Sequence, residues 1–574
     1  MNAVLVLSVG CAILVVGYIT YGKWLSEQWG VDASRVTPAH ELEDGIDYVP
    51  AKAPVLLGHH FSSIAGAGPI NGPIQAAVFG WVPVALWVLI GGIFFGAMHD
   101  YAALFASVRH KGQSIGEVIS ANIGERAKKL FIIFSYLTLL LVVAAFASIV
   151  AGTFKATYVD GVLDVAASSA NASVAMISIL FIAMAIVFGY FVYRKGAPIS
   201  VATVAGVVGI ALCLIIGLNF HPIYLSNTAW MMVIAVYILV ASVAPVWILL
   251  QPRDYLSSFL LYGMMIIAAV GVIGAGVMGQ NTSMAIPAFT SFTDPMTSLG
   301  NMVPAIFITI ACGAISGFHS LVGSGTTAKQ LDKETDAKPI AYGGMLIECA
   351  LALISLCAVG FVWAEYEAGT LRAPTAVFAT GLSRMVATIP GLEATQSTIS
   401  ALLILAVSTF CLTSLDTATR LARYMFQEFW LKPGETYKDV TDFRKTLCNP
   451  FVATLITVVL GVSLGLGGYS KIWPLFGAAN QLLAALALLA VASWLGNIGR
   501  NNKMFLFPMA FMLVMTLWSL CQTIMAKLGA ISAGKGDAGA YLQLFFGAVL
   551  FILAIVLTVE GVQVIKNGKK SEAK

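Results

Sequence analysis

Charge is what this chain has least of: 10% of its 574 residues are Asp, Glu, Lys or Arg, against about 25% in a soluble domain. That shortage excludes a soluble enzyme, a disordered chain and a nucleic-acid binder, each of which keeps a solvated, charged surface. Familiar catalytic and nucleotide signatures are missing as well. The stretch Gly323-Ser324-Gly325-Thr326-Thr327-Ala328-Lys329 lacks the G-K-[ST] ending of a phosphate loop, so direct drive by ATP is not expected. Neither H-E-x-x-H nor G-x-S-x-G occurs, which argues against an intramembrane hydrolase and for a protein that is not an enzyme. The eight cysteines lie mostly inside apolar runs and form no C-x-x-C pair, so neither a disulfide framework nor a zinc ribbon fits. No cofactor and no metal ligand is assigned; His59, His60 and His319 lack a fixed ligand spacing.

What the chain has in abundance is apolar sequence, 59% of all residues, with a mean hydropathy of +0.88. It comes in long runs, and runs of about 18 or more read as membrane spans. Polar breaks divide them into fifteen candidate spans near 3–21, 54–81, 82–106, 130–152, 173–193, 197–218, 229–250, 256–279, 301–322, 340–363, 399–416, 451–467, 473–495, 504–526 and 541–563. Residues 3–20 lack the basic start of a signal peptide and read as the first span. Backbone groups in lipid must bond within their own segment, and the runs are too long for barrel strands, so the expected class is an all-α polytopic membrane protein. No loop is long enough to fold alone, since 22–53, 364–398 and 417–450 each fall short of about 40 residues. Three regions follow: a first helix and loop over 1–53, one half over 54–300 and a second half over 301–574. With the N-terminus outside and the C-terminus in the cytoplasm, 26 of the 32 basic residues fall on the cytoplasmic side, the imbalance that the positive-inside rule requires.

Two glycine-interrupted segments match without gaps at an offset of 257, Phe61-Ser62-Ser63-Ile64-Ala65-Gly66-Ala67-Gly68 and Phe318-His319-Ser320-Leu321-Val322-Gly323-Ser324-Gly325. They belong to the second and ninth spans, so they run in opposite directions, the pattern of inverted repeats with a discontinuous helix in each half. Gly opens a helix without side-chain strain, and Pro69 and Pro73 cannot donate a backbone bond. The alternative is a pair of small-residue packing faces. Freed N–H groups at half-helix ends attract carboxylates, which places a substrate against Ser62, Ser63, Gly66, Gly68, Ser320, Gly323, Ser324, Gly325 and Thr326.

Ionisable residues inside spans are few, so each is a functional candidate. His59 and His60 precede the first glycine pair, His319 lies in the second segment, Glu348 interrupts an apolar run, and His99 and Asp100 sit near the end of 82–106, where Arg109 is a candidate partner. Thr409, Thr413, Asp416 and Thr417 follow i, i+4, i+7, i+8 spacing and share one helical face. Such oxygens suit Na⁺ or orient a protonatable Asp416; equally, the hydroxyls bond back to their own helix and Asp416 reaches the interface. The ion-coupling candidates are therefore His60, His319, Glu348, Thr409, Thr413 and Asp416, with H⁺ as the expected ion and Na⁺ as the alternative. Arg420 to Trp430 reads as an amphipathic helix on the inner leaflet.

These residues resemble the carbon starvation protein A (CstA) family of bacterial inner-membrane transporters. The similar stretches are residues 58–70, Gly96-Ala97-Met98-His99-Asp100-Tyr101, Gln251-Pro252-Arg253-Asp254-Tyr255, residues 316–329, residues 413–424 and Trp473-Pro474-Leu475-Phe476-Gly477-Ala478-Ala479-Asn480-Gln481-Leu482. Larger members of the family have further spans and longer tails, so the resemblance is to a compact member. The resemblance implies uptake of short peptides or pyruvate with protons, during nutrient limitation, by alternating access. It also implies kinship with the LeuT-type superfamily of amino acid, polyamine and cation transporters, whose core is a 5+5 inverted repeat; a 7+7 division fits the span counts equally well. In that mapping 54–81 and 301–322 are the broken helices, and 399–416 replaces the helix that supplies hydroxyls to a sodium site. A passive channel or facilitator, or a nutrient sensor of the same fold, is the competing expectation. Pyruvate needs one positive feature, whereas a peptide zwitterion also needs an amine partner, for which Glu348 or Asp416 would serve. The partners implied are a small-molecule substrate and membrane lipid, with no nucleic acid.

Overall fold

In a computed structural model the described residues are 2–567, apart from 46–47, 246, 298, 433–434 and 436–439. Residues 568–574 of the expected cytoplasmic tail lie outside them. All fifteen expected stretches are helical, but eleven helices among the described residues have the length and apolarity to cross a membrane on their own. Two further apolar helices are shorter, Asn227–Val243 and Pro450–Gly465, and two stretches are broken. The β-structure among the described residues is one small hairpin, Thr157–Val159 with Val162–Asp164, and a few isolated bridges.

The helices that build the site are α1 (Ala53–Ile64), α2 (Gly68–Ala76), α3 (Ala97–Arg109), α4 (Glu125–Phe154), α5 (Asn227–Val243), α6 (Leu250–Ala269), α7 (Met302–Thr309), α8 (Gly317–Gly325), α9 (Gly343–Phe361), α10 (Gln396–Trp430) and α11 (Tyr469–Asn497). The first break falls between α1 and α2. Ala65 leaves helical geometry at φ −76°, ψ 66°, and Pro69 stands in the first turn of α2, where its missing N–H costs nothing. The second break, residues 310–316, separates α7 from α8, with Ile310 at ψ 69° and Ser316 extended at φ −142°, ψ 124°.

The second break is not where the sequence match puts it. Gly323 and Gly325 lie inside α8, and the matched octapeptide aligns the end of α1 and its break with an intact helix. At Gly323 the small-residue packing alternative holds, because that face lies against Leu104 of α3. The broken segments nevertheless run antiparallel. The Ala51 N–H, just before α1, bonds the Gln330 carbonyl, just after α8, at 2.9 Å, and at the opposite end the Thr290 N–H reaches the Phe79 carbonyl at 3.2 Å.

Loop contacts sort the chain into the same two ends as its basic residues. At one end the Ala3 N–H bonds Thr282 O at 3.0 Å and Arg372 bonds Met296 O at 3.1 Å. At the other, Asn501 bonds Gln28 at 3.1 Å and Asn497 bonds Asn122 at 3.2 Å.

Two expectations need correction. The span read as 399–416 continues without interruption to Trp430, so the amphipathic stretch is the second half of a buried helix rather than a surface helix. Arg420 avoids lipid by finding carbonyls: its Nη2 donates to Ala241 O at 2.8 Å and Ala244 O at 2.7 Å, at the end of α5. The expected loop 364–398 contains the helix Pro374–Ala387; it packs so closely on α9 that a Cβ at Gly381 would overlap the Ala358 backbone.

Candidate functional site

The two breaks face each other. A Cβ on Gly68 would overlap the Cys312 side chain, and one on Gly72 would lie 2.7 Å from Thr309 O. Close approach is why these positions take glycine. Each break leaves helix ends with unpaired backbone groups that lipid cannot satisfy. At the second break, α11 supplies the partners from two consecutive residues. Asn480 Oδ1 accepts the Phe318 N–H at 2.8 Å, capping the start of α8, and its Nδ2 donates to Ser316 Oγ at 3.1 Å. Gln481 Nε2 donates to Phe307 O at 3.1 Å and Ile310 O at 3.4 Å, closing the end of α7. At the first break, Ser414 Oγ of α10 donates to Ser63 O at 3.1 Å. The Asn480→Ala substitution is therefore expected to lower thermal stability by about 0.5–2 kcal/mol, the range for a lost helix cap. The loss is measured as a fall in the unfolding midpoint of the purified protein in detergent; an unchanged midpoint would remove Asn480 from this role.

A chain of charge runs from α10 to α1. Arg253, 1% exposed in the first turn of α6, pairs through Nη1 with Asp416 Oδ2 and bonds Tyr237 Oη of α5, while its Nη2 reaches Asp254 Oδ1 at 3.3 Å. Tyr237 donates to Asp416 Oδ2 at 2.7 Å. The second Asp254 oxygen faces His59 Nδ1 at 3.2 Å and accepts from Ser63 Oγ at 3.5 Å. One guanidinium is thus held between two carboxylates, with a histidine at the far end. A second polar cluster lies between α3, α8 and α9. Asp100 accepts from the Nδ1 of both His99 and His319 at 2.7 Å each. The Nε2 of His319 points at Glu348 Oε2, 3.4 Å away. All these residues are buried except the half-buried Tyr237, as are residues 58–74 throughout.

The model of the family described as carbon starvation protein CstA matches residues 2–373 and 363–519. The chain belongs to this family. The peptide transporter CstA of Bacillus subtilis is 34% identical, the alignment covering 90% of this chain and 89% of that one. The pyruvate/proton symporter BtsT of Escherichia coli is 30% identical, with 90% of this chain and 81% of that one covered. A solved Eremococcus coleocola manganese transporter superposes with a TM-score of 0.50 at 13% identity, over 92% of this chain and 99% of that one. That likeness concerns the fold, which is of the LeuT type with an inverted repeat and two discontinuous helices.

Within this CstA-family fold the expected residues separate into three places. Gly66 and Gly68 lie at or beside the first break, with Ser62 and Ser63 on the adjoining end of α1; Ser62 Oγ donates to Gly58 O at 2.8 Å. Ser320 stands in the first turn of α8, next to the second break, whereas Gly323, Ser324, Gly325 and Thr326 lie at the far end of that helix. Ser320 Oγ bonds Gly317 O at 2.7 Å, Ser324 Oγ bonds Ser320 O at 2.7 Å and accepts the Ile115 N–H at 3.1 Å, and Thr326 Oγ1 bonds Val322 O at 2.9 Å. The stretch beside Gly66–Gly68 is instead 310–316. The three histidines near the breaks do not converge either. His59 joins Asp254, His60 Nδ1 sits 2.8 Å from Thr327 Oγ1, and His319 joins Asp100 and Glu348. Thr409 Oγ1 bonds back to Leu405 O at 2.8 Å, while the Thr413 and Thr417 hydroxyls have no hydrogen-bond partner among the described residues. Asp100, for which Arg109 was the candidate partner, is held by two histidines. Arg253, Asp254, Asn480 and Gln481, quoted above only for the family resemblance, and Tyr237 are the residues that sequence reasoning did not place in the site. Arg253 and Asp254 stood in what read as a short loop.

Proposed function

We propose that this chain is a secondary active transporter that imports a small carboxylate-bearing nutrient, a short peptide or pyruvate, across the bacterial inner membrane by alternating access, coupled to protons. The observation that carries the reading is the apposition of two helix breaks, at Gly66–Gly68 and at 310–316, in a sealed apolar bundle. The dipoles of α2 and α8 favour an anion at their starts; of the first-turn N–H groups, that of Phe318 is held by Asn480 and those of Ile70, Asn71 and His319 by the Ala67 and Ser316 carbonyls, so the helix ends act on a substrate through their field. The names of the relatives, peptide transporter and pyruvate/proton symporter, supply the substrate class. The distribution of basic residues supports an N-terminus outside and a C-terminus in the cytoplasm.

Proton coupling follows from the charge count along α1, α6 and α10. Arg253 against Asp254 and Asp416 leaves one excess negative charge, which a buried site tolerates poorly. One proton, on His59 or on either carboxylate, makes the chain neutral, so the occluded state is the proton-loaded one. The test is uptake of labelled pyruvate and of a labelled dipeptide into proteoliposomes, with and without imposed pH and Na⁺ gradients. Saturable accumulation of one of them that follows the pH gradient is expected; no gradient-dependent accumulation of either, or current without saturation, would sink the reading. The Asp416→Asn substitution keeps Arg253 paired with Asp254 and removes the excess charge. It is expected to retain substrate counterflow while pH-driven accumulation falls by an order of magnitude or more, about 1.4 kcal/mol of lost coupling. Accumulation equal to wild type would take Asp416 out of the coupling path.

A further inference from the structure

We propose that Cys312, His319 and Glu348 form a binding site for a divalent transition-metal ion of Zn²⁺ type at the second helix break. The site is separate from the Arg253 chain and does not rest on the transport reading. Its ligand atoms, Cys312 Sγ, His319 Nε2 and one Glu348 oxygen, all lie within 4.8 Å of one another. The side chains come from three different elements: the unwound stretch, α8 and α9.

Hydrogen bonding around His319 leads to the same point. The Asp100 carboxylate lies 2.7 Å from the Nδ1 of both His99 and His319; with the His319 proton on Nδ1, the neutral ring presents Nε2 as a lone pair. Opposite that lone pair, at 3.4 Å, is the Glu348 carboxylate, and neither of its oxygens has a hydrogen-bond partner among the described residues. Two buried acceptors therefore face each other, and something positive must lie between them. A proton or a metal ion would serve. The third group decides for the metal: a thiolate, an imidazole nitrogen and a carboxylate are the ligand set of zinc-like ions, not of Na⁺, Mg²⁺ or Ca²⁺. The thiolate and the Glu348 carboxylate balance the charge of a divalent ion bound directly to them, and the Asp100 carboxylate behind His319 is shared by two imidazoles.

The surroundings are those of a built metal site. Asp100, held by His99, orients the ligating imidazole through its other nitrogen, the usual carboxylate–histidine arrangement behind a bound zinc. Asn480 Nδ2 lies 3.8 Å from the Cys312 sulfur, an amide donor suited to a thiolate. His319 and Glu348 already stand at the separation of about 3.3–3.6 Å that tetrahedral ligands require; Cys312 moves in from an unwound segment, whose backbone can follow. An ion bound there ties the break to α8 and α9.

The full-length protein, purified in detergent, incubated with ZnCl₂ and passed over a chelating resin, is expected to retain about one zinc per chain by elemental analysis. The C312S, H319Q and E348Q variants lose it, and C213S, in a distant helix, keeps it. Asp100→Asn weakens binding about 10-fold to 100-fold, the range for an outer-shell carboxylate. A second readout needs no variant: Co²⁺ in place of zinc gives the near-ultraviolet thiolate-to-cobalt charge-transfer band. No retained zinc, zinc retained unchanged by C312S and E348Q, or a cobalt complex without the thiolate band would each overturn the proposal and leave a proton as the bridge.

Discussion

Replacing Arg253 with methionine is expected to leave little folded protein, whereas the double substitution Arg253→Met with Asp416→Asn recovers much of it. Arg253 is buried between two carboxylates, and both depend on its guanidinium. Removing it strands Asp254 and Asp416 in the bundle, with Tyr237 serving one oxygen of Asp416 and His59 and Ser63 facing one oxygen of Asp254. Breaking a buried pair from one side costs about 3–5 kcal/mol, because the surviving charge is left uncompensated. Removing Asp416 as well reduces the excess to one carboxylate, which His59 can neutralise by taking a proton. Methionine fills much of the arginine's volume without a polar atom, so the comparison isolates charge from cavity. The readout is the monodisperse yield and unfolding midpoint in detergent for both variants. Equal losses in the single and double variants would show that packing, not charge balance, holds α6 against α10.

The reason this residue escaped sequence reasoning is local. Gln251-Pro252-Arg253-Asp254 looks like a polar turn between two apolar runs, and a proline with two adjacent charges is what a loop contains. In the structure the proline stands in the first turn of α6, a position it tolerates, and the charges point inward because α10 and α1 offer partners. Pairing across elements is tertiary information, and a hydropathy pattern does not carry it. Asp416 shows the same limit from the other side: the helical spacing identified its face, but not that α10 continues for four more turns. Span existence was legible because lipid forces every apolar run to be helical. The first break was legible too, since Gly66, Gly68, Pro69 and Pro73 have few other uses in a helix. The second break has a single glycine, Gly313, among apolar residues and no proline, and it is held open from outside by Asn480 and Gln481. The eye is drawn instead to Gly323 and Gly325, which serve packing.

The Arg109→Ala substitution is expected to open the end of the molecule at which α1 begins and α8 finishes. Arg109, the last residue of α3, holds the fully buried Glu334 with both Nε and Nη2, the latter at 3.0 Å, and also donates to Gly30 O at 3.0 Å. The Asp32 N–H completes the site on Glu334 at 2.7 Å. The end of α3 is thus tied by a bidentate pair to the stretch leaving the second broken segment and through Gly30 to the stretch leading into the first, beside the Ala51–Gln330 backbone bond. Under the alternating access proposed above, these two stretches separate at one stage of the cycle, and the latch opposes that separation. Losing the guanidinium leaves a buried carboxylate with one donor, a cost of about 3–5 kcal/mol. Hydration on opening relieves that cost, so it falls on the closed conformer alone. A bias of about 3 kcal/mol multiplies the open population roughly 100-fold. Thr327, fully buried at the end of α8 and paired with His60, is the reporter: in a background without other reactive thiols, Thr327→Cys should react with a membrane-impermeant maleimide far faster when Arg109 is alanine. Glu334→Gln, which keeps the shape and removes the charge, should give a smaller acceleration. A labelling rate independent of residue 109, in protein that remains monodisperse, would mean that this pair braces the loops and takes no part in gating.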